Sequence, residues 1–268
     1  VIDNSYATGS LLPKAIDVSI GMGGLVGNAV GSSNIKSLIK NSYSIIGVDG
    51  RNNIGGLVGI IQRVEISASY YDGGNINGIK MVGGVAGSAY DSKIINSFAK
   101  GVISSQEAMS TGGIIGEIFN SSIINSYSAV KSINNNQLLF HGLIGNNKGG
   151  VISVENSFWD KEILPYQGAV SYGTSKMSQE MKTQSTYIGW DFDNVWQIQI
   201  NEYPKLRNNI VPVSTTTTIP NVTTATITPP PTPVSTTTTS TTTTSITTTT
   251  IPSTTTTTIP PTIVTAVQ

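Results

Sequence analysis

Gly84-Val85-Ala86-Gly87, followed nine residues later by Asn96-Ser97-Phe98, decides the fold, because both phrases recur along the first 160 residues. The glycine phrase returns as Gly24-Leu25-Val26-Gly27, Gly56-Leu57-Val58-Gly59, Gly113-Ile114-Ile115-Gly116 and Gly142-Leu143-Ile144-Gly145, and the five copies are separated by 32, 28, 29 and 29 residues. The second phrase reads Asn4-Ser5-Tyr6, Asn41-Ser42-Tyr43, Ala68-Ser69-Tyr70, Asn96-Ser97-Phe98, Asn125-Ser126-Tyr127 and Asn156-Ser157-Phe158. A period of this length belongs to stacked supersecondary units, none of which can bury its apolar face alone.

Extended by two residues, the second phrase becomes Ile-x-Asn-x-aromatic, as in Ile94-x-Asn96-x-Phe98 and Ile123-x-Asn125-x-Tyr127. Residues two apart share one face of a strand, so the pattern predicts the aliphatic, Asn and aromatic side chains together on the packed face and the serines on the other. Asn41, Asn96, Asn125 and Asn156 are then expected to form an amide ladder. Tyr43, Tyr70, Phe98 and Tyr127 form a column about 4.8 Å per step, and so do Leu25, Leu57, Val85, Ile114 and Leu143. Paired glycines in a strand mark a bend or a close backbone approach. Asp72-Gly73-Gly74-Asn75 and Asn134-Asn135-Asn136 carry turn chemistry.

The fold expected is all-β, a parallel β-solenoid of about five coils of roughly 29 residues. An antiparallel meander closing into a sandwich or propeller is the alternative that the same strand pattern permits. Each coil would bury three or four large side chains, at roughly 1.5–3 kcal/mol apiece.

This array, Gly-Leu-Val-Gly with Asn-Ser-Tyr after it, resembles the GLUG-motif repeats of bacterial and archaeal surface proteins. The resemblance covers roughly residues 1–207 and implies an extracellular, adhesin-like or accessory role. Such repeats occur in large surface proteins and in the non-catalytic parts of immunoglobulin A-cleaving metallopeptidases. It also covers the phrases Gly189-Trp190-Asp191-Phe192 and Tyr203-Pro204-Lys205-Leu206, which resemble the tail that closes GLUG arrays.

Residues 1–159 are thus expected to be the repeat domain and 160–207 a cap over its open end, since an uncapped last coil exposes apolar surface and unpaired backbone. Ser178-Gln179-Glu180-Met181-Lys182 reads as a short helix with Ser178 as N-cap, and Val195–Ile200 as a strand. Beyond Arg207 no charged residue occurs, and residues 214–268 hold 28 Thr and 8 Pro in 55 positions. That composition reads as a disordered, O-glycosylated stalk over 208–268, with a reach of roughly 170 Å if extended. Asn120 and Asn221 each begin an N-glycosylation pattern.

The chemistry-bearing residues are few. Fifteen basic residues balance fifteen acidic ones and there is no cysteine. Nucleic-acid steering, disulfides and thiolate chemistry are excluded on those grounds. No apolar run approaches a membrane span, and Val1-Ile2-Asp3 opens inside a repeat without a secretion signal, so the chain is expected to be a piece of something longer. His141, the one histidine, stands in the slot of Gly23, Gly55, Gly83 and Gly112 and reads as a tolerated departure, not a base. Asp72 and Asp160 share a register but lie three coils apart, roughly 14 Å, too far for a glycosidase pair. Asp191 and Asp193 read as a turn. Tyr71, Tyr90 and Phe140 fall off the packed register and are the exposed candidates for ligand contact. No catalytic residue, cofactor or metal is expected. The partners expected are host or neighbouring-cell surface glycans or proteins, with no nucleic acid and no membrane insertion by this chain. The alternative function is an accessory spacer or substrate-binding region of a larger secreted enzyme.

Overall fold

A computed structural model describes residues 1–11, 20–33, 37–105, 110–133, 140–164 and 172–207. All of them fall in one compact unit that includes Val1–Asn209. Asn134–Asn136, Asn221 and the Thr-rich stretch lie outside the described residues.

The chain winds through four parallel sheets, here A to D. One coil runs from Lys93–Ile95 in sheet A to Phe98–Ser105 in B, Thr111–Gly112 in C and Ile115–Phe119 in D, and then back to A at Ser122–Ile124. Sheet A holds six strands, and sheets C and D five each, four full steps. Partners sit one repeat apart and parallel, as in Ile66↔Ile94 and Ile94↔Ile123. This is the β-solenoid, and the antiparallel meander is excluded. The sole antiparallel pair among the described strands joins Trp196–Gln197 to Lys205–Leu206, outside the coils. Asp72–Asn75 is not a turn but an irregularity inside the strand Tyr70–Gly78.

The columns expected from the glycine phrase are present: Leu25, Leu57, Val85, Ile114 and Leu143 are all buried in the main core with Ile39, Ile66, Ile94 and Ile123. The glycines permit the backbone contacts that surround them. A Cβ on Gly84 would lie inside contact distance of the Gly113 carbonyl and Ala99, and one on Gly116 would meet the backbone of Met81 and Val82. Sheets C and D therefore approach with no side-chain layer between their glycine positions.

The second phrase folds differently from its period-two reading. Asn4, Asn41, Ala68, Asn96, Asn125 and Asn156 all adopt the left-handed conformation, with φ between 44° and 50°. Each is a corner and not a strand residue, so the alternation breaks there. Asn is favoured because its short polar side chain tolerates that region better than other L-residues. The aliphatic side chain before the corner points into the core, whereas the aromatic after it points away.

Serine fills the inside of the corner. Ser42, Ser69, Ser97 and Ser126 are fully buried. Each hydroxyl donates to the carbonyl two residues earlier, as Ser97 does to Ile95 at 2.8 Å and Ser126 to Ile124 at 2.8 Å. Each also accepts the N–H of the serine one coil before: Ser5 to Ser42 at 3.1 Å, Ser42 to Ser69 at 3.1 Å, Ser97 to Ser126 at 3.1 Å and Ser126 to Ser157 at 3.1 Å. The ladder that spans the stack is thus made of hydroxyls, not amides. No hydrogen bond joins the side-chain amides of Asn96, Asn125 and Asn156, and the Asn125 Oδ1 is buried without a partner. Asn41 donates instead to the Asp3 carboxylate at 3.0 Å.

The corner between sheets D and A repeats the device. Asp91 and Asn120 have φ of 49° and 45°, Ser92 and Ser121 follow them, and Ser92 N–H donates to Ser121 Oγ at 2.9 Å.

The segment after the coils does two things where one was expected. Leu164 joins the main core, Tyr172 packs against it, and Thr174–Lys176 adds a last parallel strand beside Phe158–Asp160. That part packs on the last coil of the stack. Residues 177–207 then lie along its side.

Candidate functional site

The outer face of sheet B carries the aromatic column. Ring centroids step 5.3 Å from Tyr6 to Tyr43, 4.9 Å to Tyr70, 4.7 Å to Phe98 and 5.1 Å to Tyr127, with planes within 12° of parallel. These rings belong to a second apolar cluster, separate from the core, together with Met181, Tyr187, Trp190, Trp196 and Leu206. Trp196 lies 6.2 Å from Phe98 and 6.1 Å from Tyr127, and Tyr203 stacks on Tyr127 at 6.1 Å. The column is the seat for the folded-back segment, and its later rungs are not an open binding face.

A buried carboxylate fastens that segment. Asp160, 1% exposed, accepts Ser178 Oγ at 2.7 Å, Tyr203 OH at 2.5 Å and the N–H of Glu162 at 2.9 Å. Burial, and then the bond to Asp160, raises the Tyr203 phenol above its usual range. Ser178 is therefore not an N-cap. The helix Ser178–Met181 has Met177 as N-cap, whose N–H donates to Glu180 Oε2 at 2.8 Å. The predicted strand Val195–Ile200 shrinks to Trp196–Gln197. Asp72, in the register expected, pairs with Lys100 at 2.8 Å and takes no part.

Of the three off-register aromatics, two are core. Tyr71 is fully buried under Gly56, and its hydroxyl donates to the carbonyls of Ile46 at 3.1 Å and Gly74 at 2.9 Å. Phe140 is buried beside Thr111. Tyr71 looked exposed because the corner residue Ala68, at φ 44°, reverses which face points inward. Tyr90 alone stays half-buried, and its hydroxyl donates to Glu117 Oε1 at 3.0 Å. Glu117 also accepts Asn146 Nδ2 at 3.2 Å and meets Lys148 Nζ at 3.4 Å.

Beside this cluster, at the corner between sheets D and A, lies a shallow groove of about 290 Å³ lined by Asp91, Lys93, Asn120, Ser122, Val151 and Ser153. Asn120 is exposed there, its amide donating to Asp91 Oδ1 at 2.7 Å and its carbonyl oxygen accepting Val151 N–H at 3.3 Å. His141 pairs with Gly112, the slot expected, and is half-buried. Asp191 caps a turn by accepting the N–H groups of Asp193 at 3.0 Å and Asn194 at 2.8 Å. Those bonds hold its carboxyl below the usual range. Among the described residues no three His, Cys, Asp or Glu gather to hold a metal. What these faces offer is hydrogen bonding and apolar contact along a regular side.

No family model matches the chain. A stretch of 127 residues, 46% of the chain, is 37% identical to a protein of Evansella cellulosilytica provisionally described as a Gly-rich membrane protein. The chain spans 11% of that relative's length. A solved structure from Bacteroides ovatus, provisionally described as an immunoglobulin A1 protease, overlays 77% of this chain and 57% of its own at a TM-score of 0.46 and 23% identity. Among the described residues no helix is long and apolar enough to cross a membrane.

Proposed function

We propose that this chain is a non-catalytic, GLUG-type β-solenoid module of a longer surface or secreted protein, serving adhesion or structural display outside the cell. The observation that carries the reading is the unbroken hydroxyl ladder from Ser5 to Ser157, which ties every coil to the next by the same bond. Repeats joined by identical nearest-neighbour contacts make a rigid rod whose side faces recur at fixed spacing, which suits reach and multivalent contact. Its expected partners are glycans or proteins of a host or neighbouring cell, met by the lateral faces. The Thr-rich 208–268 stretch would serve as a glycosylated stalk.

Beads coated with the whole chain and washed over arrayed glycans and cell-surface proteins test the adhesive role. Retention that survives Asp72→Asn but is lost on thermal unfolding supports it, and indifference to every surface removes adhesion.

A second reading is a spacer or substrate-binding region of a larger secreted enzyme, which a chain spanning 11% of the Evansella relative's length fits as well as the first. It predicts that the module raises the activity of an adjoining catalytic domain without acting alone.

A further inference from the structure

The corner between sheets D and A departs from its own pattern in one coil. Three residues, 90–92, link Ala89 to Lys93, and three more, 119–121, link Ile118 to Ser122 in matching register. In the next coil the same interval, from Asn147 to Ser153, is filled by five, 148–152. The serine ladder of this corner runs from Val64 N–H to Ser92 at 3.1 Å and from Ser92 N–H to Ser121 at 2.9 Å. It goes no further, because Ile152 precedes Ser153 where Ser121 precedes Ser122.

The longer corner is held in place by its own bonds. Lys148 N–H donates to the Ile118 carbonyl at 2.9 Å, Gly149 N–H to Asn147 Oδ1 at 2.7 Å and Val151 N–H to Asn120 Oδ1 at 3.3 Å. Gly150, at φ 75°, lies so close to Asn120 that a Cβ there would sit 2.8 Å from the Asn120 Cβ. Val151 is thereby fixed outward, 76% exposed, as one wall of the groove described above. In a stack of like coils, insertions fall on one face, often the face that binds.

The groove crosses three coils. Lys93, Ser122 and Ser153 follow one another in register, so their side chains recur at roughly 4.8 Å steps along it. Asp91 and the Asn120 amide line it beside them. Phe119, next to Asn120 at the end of its sheet D strand and 39% exposed, adds an aromatic ring on that side. The lining holds one carboxylate, Asp91, and one ammonium, Lys93. An ion of either sign would therefore meet one attracting and one repelling charge. A sugar ring suits the set better: its hydroxyls both donate and accept, and its C–H face packs on an exposed apolar side chain.

From this we infer that the groove at the D–A corner is a binding subsite for a short segment of a neutral glycan. The inference rests on the reading of the side faces as contact surfaces, and it adds where the contact is made and with what chemistry. A groove of about 290 Å³ that is open to solvent binds weakly by itself, and display of many copies supplies avidity.

The test titrates the full chain with neutral trisaccharides at millimolar concentration, cellotriose, mannotriose and N-acetylchitotriose, and follows backbone amide shifts by NMR. Amides of Asn120, Ser122 and Val151 should move with at least one of them, while those of Asp72 and Lys100 on sheet B stay still. Lys93→Ala and Ser122→Ala should each weaken the binding about 3–10-fold, the loss of one hydrogen bond, at unchanged melting temperature. Replacing residues 148–152 by Phe-Asn-Ser, the sequence of 119–121, restores the three-residue corner and should abolish the shifts with the coils intact. Groove amides that ignore all three neutral probes would overturn the inference, as would amides that respond only to charged controls, trigalacturonate or the chitosan trimer. Equal affinity in wild type, Lys93→Ala and Ser122→Ala would do the same. Beads that still hold to a surface while the groove amides stay still would remove the groove and leave adhesion standing.

Discussion

The N–H of Ser97 donates to the hydroxyl of Ser126 in the next coil at 3.1 Å, and that hydroxyl donates in turn to the Ile124 carbonyl at 2.8 Å. Two buried groups thus depend on one oxygen. Ser126→Ala should lower stability by about 1–3 kcal/mol, since the Ser97 N–H is left buried without an acceptor. Urea denaturation checks this, with the midpoint expected to fall at unchanged slope.

Ala68 is the one residue of its column that is not Asn, yet its φ is 44°. Ala68→Asn should raise stability by about 0.5–1 kcal/mol, because the left-handed region costs alanine more than asparagine. Asn96→Ala, at φ 47°, should lower it by a similar amount. Thermal melts of the pair decide the sign.

Glycines in the repeat and outside it should separate cleanly. Gly84→Ala would drive a methyl into the Gly113 carbonyl and Ala99, and should cost about 3 kcal/mol or more or prevent folding. Gly149, at φ 109° with nothing within 4 Å of its Cβ position, should cost only backbone strain, about 1–2 kcal/mol. Soluble yield and denaturation midpoint measure both.

Asp160→Ala removes the acceptor shared by Ser178 and Tyr203 and should loosen residues 177–207 while the coils stay folded. Trp190 and Trp196 are buried in that segment, so tryptophan fluorescence should shift to the red and protease should cut between 177 and 207. Tyr203→Phe should reproduce the effect weakly, at about 1–2 kcal/mol. A spectrum unchanged by Asp160→Ala would show that aromatic packing alone holds the segment.

Alkali should unfold the stack by way of its tyrosines. Burial, with a smaller contribution from Tyr6, pushes the Tyr43 phenol from 10.0 up to about 12, and burial raises Tyr70, Tyr71 and Tyr127 as well. A phenol whose folded pKa exceeds its unfolded one adds stability that is complete below pH 10.0 and is lost as the pH climbs toward about 12. Tyrosinate absorbance should therefore rise together with loss of the strand signal in circular dichroism, not ahead of it.

The sequence alone determined the unit length, the column of Leu25, Leu57, Val85, Ile114 and Leu143, the stacked aromatics and the close approach at the glycines, because each is written as a residue type recurring at one interval. It also showed that His141 stands in a glycine slot. What it left to the tertiary structure was the direction in which side chains point after a corner. A left-handed residue reverses the inside and outside of the strand that follows it, and Asn in that role cannot be told from Asn in a strand by spacing. Ser97 and its counterparts therefore read as outward when they form the ladder, and Tyr71 reads as exposed when it is core. The work of Asp160 was hidden for a related reason: its partners Ser178 and Tyr203 are 18 and 43 residues away and repeat nowhere else. Periodicity reports contacts between copies, whereas a bond made once, between a coil and a segment folded along its side, exists only in three dimensions.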